Sequence, residues 1–240
     1  MRTLLIGFAL LTASGISTAY AETLLDPHMT IAKGQYEGPR VALTFDACTG
    51  RVDDRILSAL IANQIPSTIF VTARWLKRNP KAIAEIKAHP ELFEIENHGA
   101  KHLPAIDVPM TVFGLQAAGS LEALQTEIDG GALAVLTSFD TAPHWYRGAT
   151  ALYTASSERL IAEMNFKLAG YSLSGDGGAG FSEHRTAKTI AAAQDGDVII
   201  AHINQPTKPA GAGVVEGILK LKAAGYLFLT LNEGVSRRDR

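Results

Sequence analysis

The apolar residues of the chain alternate between short runs typical of buried strands and longer stretches with the spacing of amphipathic helices. The strand-like runs are residues 41–45 (VALTF), 67–72 (STIFVT), 93–96, 132–136, 145–146, 167–173, 198–203 (VIIAHI) and 226–231 (YLFLTL). The helix-like stretches are residues 54–63, 80–89, 111–128, 156–165, 184–193 and 214–224. Asp53 is placed to cap the first helix and Gly225 to end the last. This order predicts a parallel sheet covered by helices.

Ionisable residues recur where the strand-like runs end. Asp46, His98, Arg147, Asp176 and His202 each lie at or just beyond the carboxyl end of a run. A β/α barrel and an open doubly wound sheet both fit the alternation. An open sheet binds ligands mainly at one switch point, whereas a barrel collects residues from many strands at one face. Five contributing strands therefore favour the α/β class with a distorted barrel.

The amino-terminal residues have the pattern of a secretory signal peptide. Arg2 precedes an apolar run at residues 4–11, and Ala19, Tyr20 and Ala21 place small residues around a cleavable bond. The alternative is a membrane anchor, but the run is short for a bilayer. We therefore expect cleavage after Ala21, a single domain over residues 22–240, a periplasmic or secreted location and no stable membrane insertion.

The composition fits one globular enzyme-sized domain. The chain has 240 residues, of which 47% are hydrophobic, and a formal net charge of -2. The basic residues form no stripe or patch, so a nucleic-acid partner is not expected. A single cysteine, Cys48, excludes an intramolecular disulfide. The oligomeric state is left open by these features.

Two histidines have the spacing of metal ligands. His98 and His102 stand four residues apart, and on a helical turn this spacing would point both imidazoles to one side. Gly99 stands where the zincin pattern requires glutamate, which excludes that family. The alternative is that two surface histidines stand four residues apart by chance.

The other strand-end residues each allow a structural and a chemical role. Asp46 is a loop cap, a general base or a metal ligand, and His202 is a core histidine or a general acid. Arg147 is a structural ion-pair partner or orients a catalytic carboxylate. Asp176 lies in a glycine-rich loop, residues 174–180, that lacks the Lys-Ser/Thr of a phosphate-binding loop.

Five ordered segments together resemble the motifs of NodB-type polysaccharide deacetylases, carbohydrate esterase family four. The segments are TFDACTG from residue 44, NHGAKH from residue 97, WYRGAT from residue 145, SGDGG from residue 174, and IAH, which ends at His202. Each motif alone is weak, but the ordered set is specific. The resemblance covers most of the chain after the predicted signal peptide.

The resemblance implies a distorted seven-stranded β/α barrel and a hydrolase that removes N-acetyl groups from a polysaccharide or oligosaccharide. It also implies one divalent metal ion, usually zinc, held by His98 and His102. In the implied roles, Asp46 is the base and His202 the acid that protonates the departing amine. By the same resemblance, Arg147 orients Asp46, and Asp176 pairs with His202.

One departure from the family pattern concerns the metal. The family usually has a second, metal-binding aspartate after the first, and here that position is Ala47. A catalytic zinc normally has three protein ligands. Asp46 itself, or Asp53 or Asp54, is a candidate for the third. Cys48 has suitable chemistry, but we expect it to be a small packed residue.

Two further positions also differ from the family pattern. Gly99 stands where serine or threonine is common, and the fourth motif lacks its usual tryptophan. Two alternative functions therefore stay open. One is a catalytically inactive, carbohydrate-binding barrel, which Ala47 favours. The other is an O-acetyl esterase on the same scaffold.

Overall fold

The computed structural model describes residues 23–31 and 38–235. The predicted signal peptide, residues 1–21, lies outside this part of the chain. Among the helices that the structure describes, none combines the length and the apolar character that a membrane crossing requires.

Strands and helices alternate through most of the described chain. The strands are β1 (Arg40–Ala47), β2 (Ser67–Val71), β3 (Phe93–Asn97), β4 (Thr111–Val112), β5 (Leu115–Gln116), β6 (Trp145–Tyr146), β7 (Lys167–Leu168), β8 (Leu173–Ser174), β9 (Asp197–His202) and β10 (Leu227–Leu229). The helices are α1 (Asp54–Ala62), α2 (Ala73–Arg78), α3 (Pro80–Lys87), α4 (Leu121–Phe139), α5 (Ala155–Glu163), α6 (Glu183–Ala191), α7 (Ala210–Ala223) and α8 (Leu231–Val235).

One curled sheet forms the centre of the fold. Its strand order is β7-β6-β3-β2-β1-β9-β8, all neighbours are parallel, and β10 pairs with the start of β1. The path ends at β7 and β8, which follow one another in the chain. The sheet thus curls into an open, distorted barrel, and the predicted α/β barrel is confirmed.

Strand β1 shows why the sheet is covered on both sides. All eight of its residues are buried. Val41, Leu43, Phe45 and Ala47 belong to the large outer core shared with the helices, whereas Ala42 belongs to a smaller inner cluster. Since side chains alternate along a strand, Asp46 points with Ala42 and Thr44 into the barrel.

The segment before α4 differs from its prediction. A helix over residues 111–128 was expected, but β4 and β5 form an antiparallel hairpin there and the helix begins only at Leu121. Gly114 and Gly119 both have φ of +80°, a conformation that breaks a helix. Ser120 then caps α4 by accepting a hydrogen bond from the backbone N–H of Ala123.

One strand prediction was wrong in type, because the residues are helical, and another was wrong in extent. The apolar run at residues 132–136 lies inside the 19-residue helix α4, because a short apolar run does not distinguish a strand from a helix. The run at 167–173 divides into β7 and β8, which pair with opposite ends of the sheet. Helix α2 was not predicted.

Two glutamates of β3 lie on the same side of the strand, with Glu96 buried and Glu94 half-buried. Glu94 accepts a hydrogen bond from the backbone N–H of Asn232, and Glu96 accepts two, from His144 and Trp145. Burial, with the charge of Glu94 adding to it, raises the pKa of Glu96 from 4.5 to about 8. The chain therefore keeps a protonated carboxyl group inside the fold at neutral pH.

This buried acid gives a testable pH dependence. Between about pH 4.5 and about pH 8, Glu96 is ionised in the unfolded chain but protonated in the folded one, so the free energy of unfolding should fall as pH rises through this window. Glu96→Gln cannot titrate and keeps an oxygen for the two backbone donors. Urea unfolding across the window should give a flatter profile for the variant. Parallel profiles would contradict the shift.

Candidate active site at the carboxyl edge of the barrel

The strand-end residues singled out in the sequence lie together at one edge of the barrel. Asp46 lies in β1 and His202 ends β9, while His98 and Arg147 directly follow β3 and β6. Asp176 stands two residues after β8. A cleft of about 530 Å³ opens here and is lined in part by Asp46 and His202, a size typical of ligand sites.

A fully buried ion pair lies at the floor of this cleft. The Nη1 of Arg147 donates to Oδ1 of Asp46 at 3.0 Å and to the hydroxyl of Thr44 at 3.0 Å. Its other nitrogens donate to the carbonyls of Ala169, at 3.3 Å, and Gly170, at 3.0 Å. Every guanidinium nitrogen of Arg147 therefore has an acceptor, which a buried charge requires.

The pair fixes the ionisation of Asp46. Burial opposes the charge, but His98, Arg147 and His202 together outweigh it and lower the pKa of the Asp46 carboxyl. The second carboxylate oxygen, Oδ2, lies 3.8 Å from Nε2 of His98. Asp46 is thus an oriented carboxylate that can accept a proton in the cleft.

Replacing Arg147 should show how much burying the Asp46 carboxylate without a counter-charge lowers the free energy of unfolding. Arg147→Met leaves the carboxylate without its counter-charge, so metal-free protein should lose about 3–5 kcal/mol of unfolding free energy. Urea denaturation in the presence of a chelator measures this loss. Lys220→Gln, which breaks the exposed pair of Lys220 with Glu216, is the control and should change stability far less. Equal losses in both variants would contradict the importance of the buried pair.

A second carboxylate holds His202, which lies beside Asp46 on the neighbouring strand β9. Asp176 accepts from the backbone N–H of His202 at 2.7 Å, and its two oxygens lie 3.1 and 3.2 Å from Nδ1 of the same residue. Burial opposes protonation, but hydrogen bonds with Asp176 and Cys48 raise the pKa of His202 well above its usual value. Since Nδ1 is engaged by Asp176, Nε2 is the nitrogen left to donate a proton.

Three potential metal-ligand atoms lie beside the buried ion pair. One side-chain atom each from Cys48, His98 and His102 falls within 4.8 Å of the other two. Zinc bonds of about 2.3 Å to sulfur and about 2.0–2.1 Å to nitrogen place these atoms about 3.5 Å apart in a tetrahedral site. The Sγ of Cys48 is 3.6 Å from Nε2 of His98, so this pair of donors fits such an ion.

The orientation of His98 also suits a ligand. Its Nδ1 lies 2.6 Å from the carbonyl oxygen of Arg147, an acceptor that only an N–H can satisfy. A proton is therefore assigned to Nδ1, and Nε2, which faces Cys48, is the ring nitrogen that would bind an ion once it is deprotonated. A metal-bound histidine commonly donates its other ring N–H to a carbonyl or carboxylate oxygen in this way.

The two histidines lie on a loop rather than on the helical turn that their spacing suggested. Gly99 and His102 both have positive φ, +86° and +67°, which reverses the chain between the imidazoles. The rings lie edge to face with their centroids 5.0 Å apart. They approach one another because the loop turns back.

Glu127 of α4 holds this loop in place. Its buried carboxylate accepts from the backbone N–H groups of Lys101 and Leu103, at 2.8 and 3.1 Å, on both sides of His102. A Cβ at Gly99 would collide with the same carboxylate. Glycine thus stands where the family commonly has serine or threonine because Glu127 occupies that space.

Cys48 is the functional candidate that the sequence reasoning undervalued. It was expected to pack, and its burial agrees, but its sulfur faces His98. Ala47, in contrast, points into the outer hydrophobic core. The backbone of Cys48 is held by Thr72, whose hydroxyl donates to the Cys48 carbonyl. The period of two along a strand was the available signal, since it places neighbouring residues on opposite sides.

The other candidates for a third ligand are committed elsewhere. Asp53 caps α1 and forms an ion pair with Arg55. The Nε of Arg55 lies 2.8 Å from Oδ1 of Asp53, and its Nη2 lies 2.5 Å from Oδ2. Asp54 is exposed in the first turn of the same helix. Asp46 remains near the histidines, but Arg147 occupies one of its oxygens.

Comparison with protein families now identifies the chain. Residues 33–169 match the family model for polysaccharide deacetylase, which is more than half of the chain. The chain belongs to the polysaccharide deacetylase family. The family resemblance and the expected enzyme class are therefore confirmed. None of the curated protein sequences compared with the chain matches it.

Solved structures of deacetylases share the fold over the segment beyond residue 169 as well. A T48 deacetylase with substrate is 23% identical, with a TM-score of 0.64 over 81% of this chain and 89% of its own. PdaA of Bacillus subtilis, a family 4 carbohydrate esterase, is 15% identical, with a TM-score of 0.69 over 89% and 86%. A family pseudoenzyme of Bacillus anthracis is 16% identical, with a TM-score of 0.64 over 82% and 66%.

Proposed function

We propose that the chain is a metal-dependent hydrolase that removes N-acetyl groups from an amino-sugar polysaccharide or oligosaccharide. The observation that carries the proposal is the presence of a proton acceptor and a proton donor side by side in one cleft, on the paired strands β1 and β9. Asp46 is an oriented carboxylate with a lowered pKa, and His202 is an imidazole with a raised one. Hydrolysis of an amide needs both a base and an acid.

The two groups have complementary roles in the proposed reaction. Asp46, held by Arg147, accepts a proton from the attacking water. His202, held by Asp176, donates a proton from Nε2 to the departing amine of the sugar. Arg147 and Asp176 are positioning residues, since each acts through the group to which it is hydrogen-bonded. The product amine thus leaves as a neutral group rather than as an amide anion.

We propose Cys48, His98 and His102 as the protein ligands of a divalent ion, with zinc favoured by the sulfur and nitrogen donors. Such an ion supplies Lewis acidity that polarises the acetyl carbonyl and acidifies water. Cys48 takes the place of the aspartate that the family has at position 47. Burial opposes the thiolate, but hydrogen bonds from His102, His202 and His98 lower the pKa of Cys48 well below its usual value.

An acetylated carbohydrate substrate is supported by the family and by the T48 deacetylase, whose structure contains a substrate. We further propose export to the periplasm or beyond, because residues 1–21 have the pattern of a signal peptide. In that location, the enzyme would meet extracytoplasmic amino-sugar polymers.

Acetate release from chitooligosaccharides tests the proposed division of labour. Asp46→Asn cannot accept a proton, and His202→Ala cannot donate one, so each should lower turnover by about 10²–10⁴-fold. His202→Ala should keep its bound metal by elemental analysis. Wild-type acetate release by His202→Ala would remove the proposed acid.

Two further outcomes of the same assay separate the alternative functions. Oligosaccharide binding without acetate release by the wild-type protein would favour an inactive carbohydrate-binding barrel. Faster release from O-acetylated than from N-acetylated sugars would favour an esterase.

The metal ligands can be tested without reference to activity. Cys48→Ala should lower zinc affinity by more than about 100-fold, because losing a ligand costs more than losing a group that orients one. Cys48→Asp should retain the ion. With cobalt in place of zinc, the wild-type protein should show a near-ultraviolet thiolate-to-metal charge-transfer band that Cys48→Asp lacks.

Ala47→Asp provides the matched control, because its side chain would face the outer core rather than the histidines. Added to Cys48→Ala, it should not restore zinc binding. Unchanged zinc affinity in Cys48→Ala would exclude the sulfur as a ligand.

A further inference from the structure

The turn between β4 and β5 places an aromatic residue in a conformation that disfavours it. Phe113 and Gly114 form a two-residue hairpin loop in which φ is +48° and +80°. Turns with two positive φ values are typically Asn-Gly, and a bulky residue in the first position is strained. Phenylalanine is therefore a costly choice for the backbone here.

Exposure of the Phe113 side chain to solvent is also unfavourable. Phe113 is 84% exposed, more than any other large hydrophobic residue in the described part of the chain. Single exposed apolar residues are common on protein surfaces. Exposure combined with backbone strain is less common, and strained residues tend to cluster at ligand sites.

The position of the hairpin relates Phe113 to the active site. Phe113 and Leu115 line the same cleft as Asp46, His102 and His202. The aromatic ring is thus part of the wall of the space in which the proposed substrate reacts.

The hairpin is firmly attached to the rest of the site. Its strands continue through a hydrogen bond between Ala117 and Met110, and Val112 is buried beneath it. The backbone of Ala118 donates to the carbonyl of Pro104 and that of Gly119 to Ile106, in the segment that follows His102. The backbone that carries the ring therefore has a defined position relative to the proposed metal ligand.

We propose that Phe113 is a stacking platform for the pyranose ring next to the one that loses its acetyl group. This inference rests on the proposed function, since it assumes a chain of amino sugars in the cleft. A pyranose has an apolar face of C–H groups, and an aromatic ring offers a flat apolar surface at low entropic cost. The occupant is a sugar rather than a protein partner because the ring shares its cleft with Asp46 and His202.

Phe113→Asn removes the ring while keeping a residue that accepts positive φ. It should leave the free energy of unfolding unchanged or raise it. It should also increase KM for a chitooligosaccharide about tenfold, the equivalent of one aromatic contact, with little change in kcat. Activity on a single N-acetylated sugar should fall much less than activity on the oligomer, since no second ring is present. Phe113→Trp should retain wild-type KM.

Leu133→Ala is the control, because Leu133 is 64% exposed on α4 and does not line the cleft. It should leave both substrates unaffected. Equal effects of Phe113→Asn on the oligomer and the single sugar, or no effect on either, would overturn the stacking role. A loss of stability that accounts for the loss of activity would also overturn it, because Phe113 would then serve the fold.

Calorimetric binding of the chitooligosaccharide separates this inference from the proposed function. If the wild-type protein releases no acetate but Phe113→Asn still weakens binding, the deacetylase proposal fails and the stacking platform stands. If acetate is released but Phe113→Asn binds the oligomer as the wild type does, the deacetylase proposal stands and the stacking platform fails. If the wild-type protein neither binds nor deacetylates the oligomer, both proposals fail.

Discussion

The buried ion pair between Arg147 and Asp46 is the interaction on which the site depends. Arg147 follows β6, and its guanidinium crosses the barrel interior to Asp46 on β1. It also binds the carbonyls of Ala169 and Gly170, between β7 and β8, where the sheet path is open. One side chain thus connects the two edges of the sheet to its central strand. Its backbone carbonyl accepts a hydrogen bond from His98, so the same residue orients the proposed base and a proposed metal ligand.

The departures from the family pattern are explained by alternation and by available space. Ala47 faces the outer core, where a charge would be costly, and the next residue, Cys48, turns its sulfur toward His98. In this chain, the residue that follows the strand, rather than the one that ends it, therefore faces the histidines. Gly99 is similarly linked to Glu127, whose carboxylate fills the space of a side chain at that position. With Cys48 and Gly99 in these positions, the donor atoms of Cys48, His98 and His102 lie within 4.8 Å of one another.

Much of the architecture followed from local pattern. β1, β2 and β9 were expected within two residues of their ends, and Asp53 caps α1 as predicted. These elements have clear periodicity and flanking polar residues, which are properties of the adjacent chain. The prediction failed at residues 111–120 and 132–136, where a strained hairpin and a long helix share an apolar composition. Composition alone does not distinguish them, because the difference lies in a few backbone angles.

The sequence by itself determined the alternation of the main strands and helices and the residues that end the strands, because both depend on neighbours along the chain. It also indicated which residue types could transfer protons or bind a metal. Only the tertiary structure decided which of these groups meet. Cys48 and His98 are 50 positions apart, and Asp46 and Arg147 are 101 apart. Contacts over such distances depend on how the sheet curls and where its loops turn back, and no local pattern encodes them.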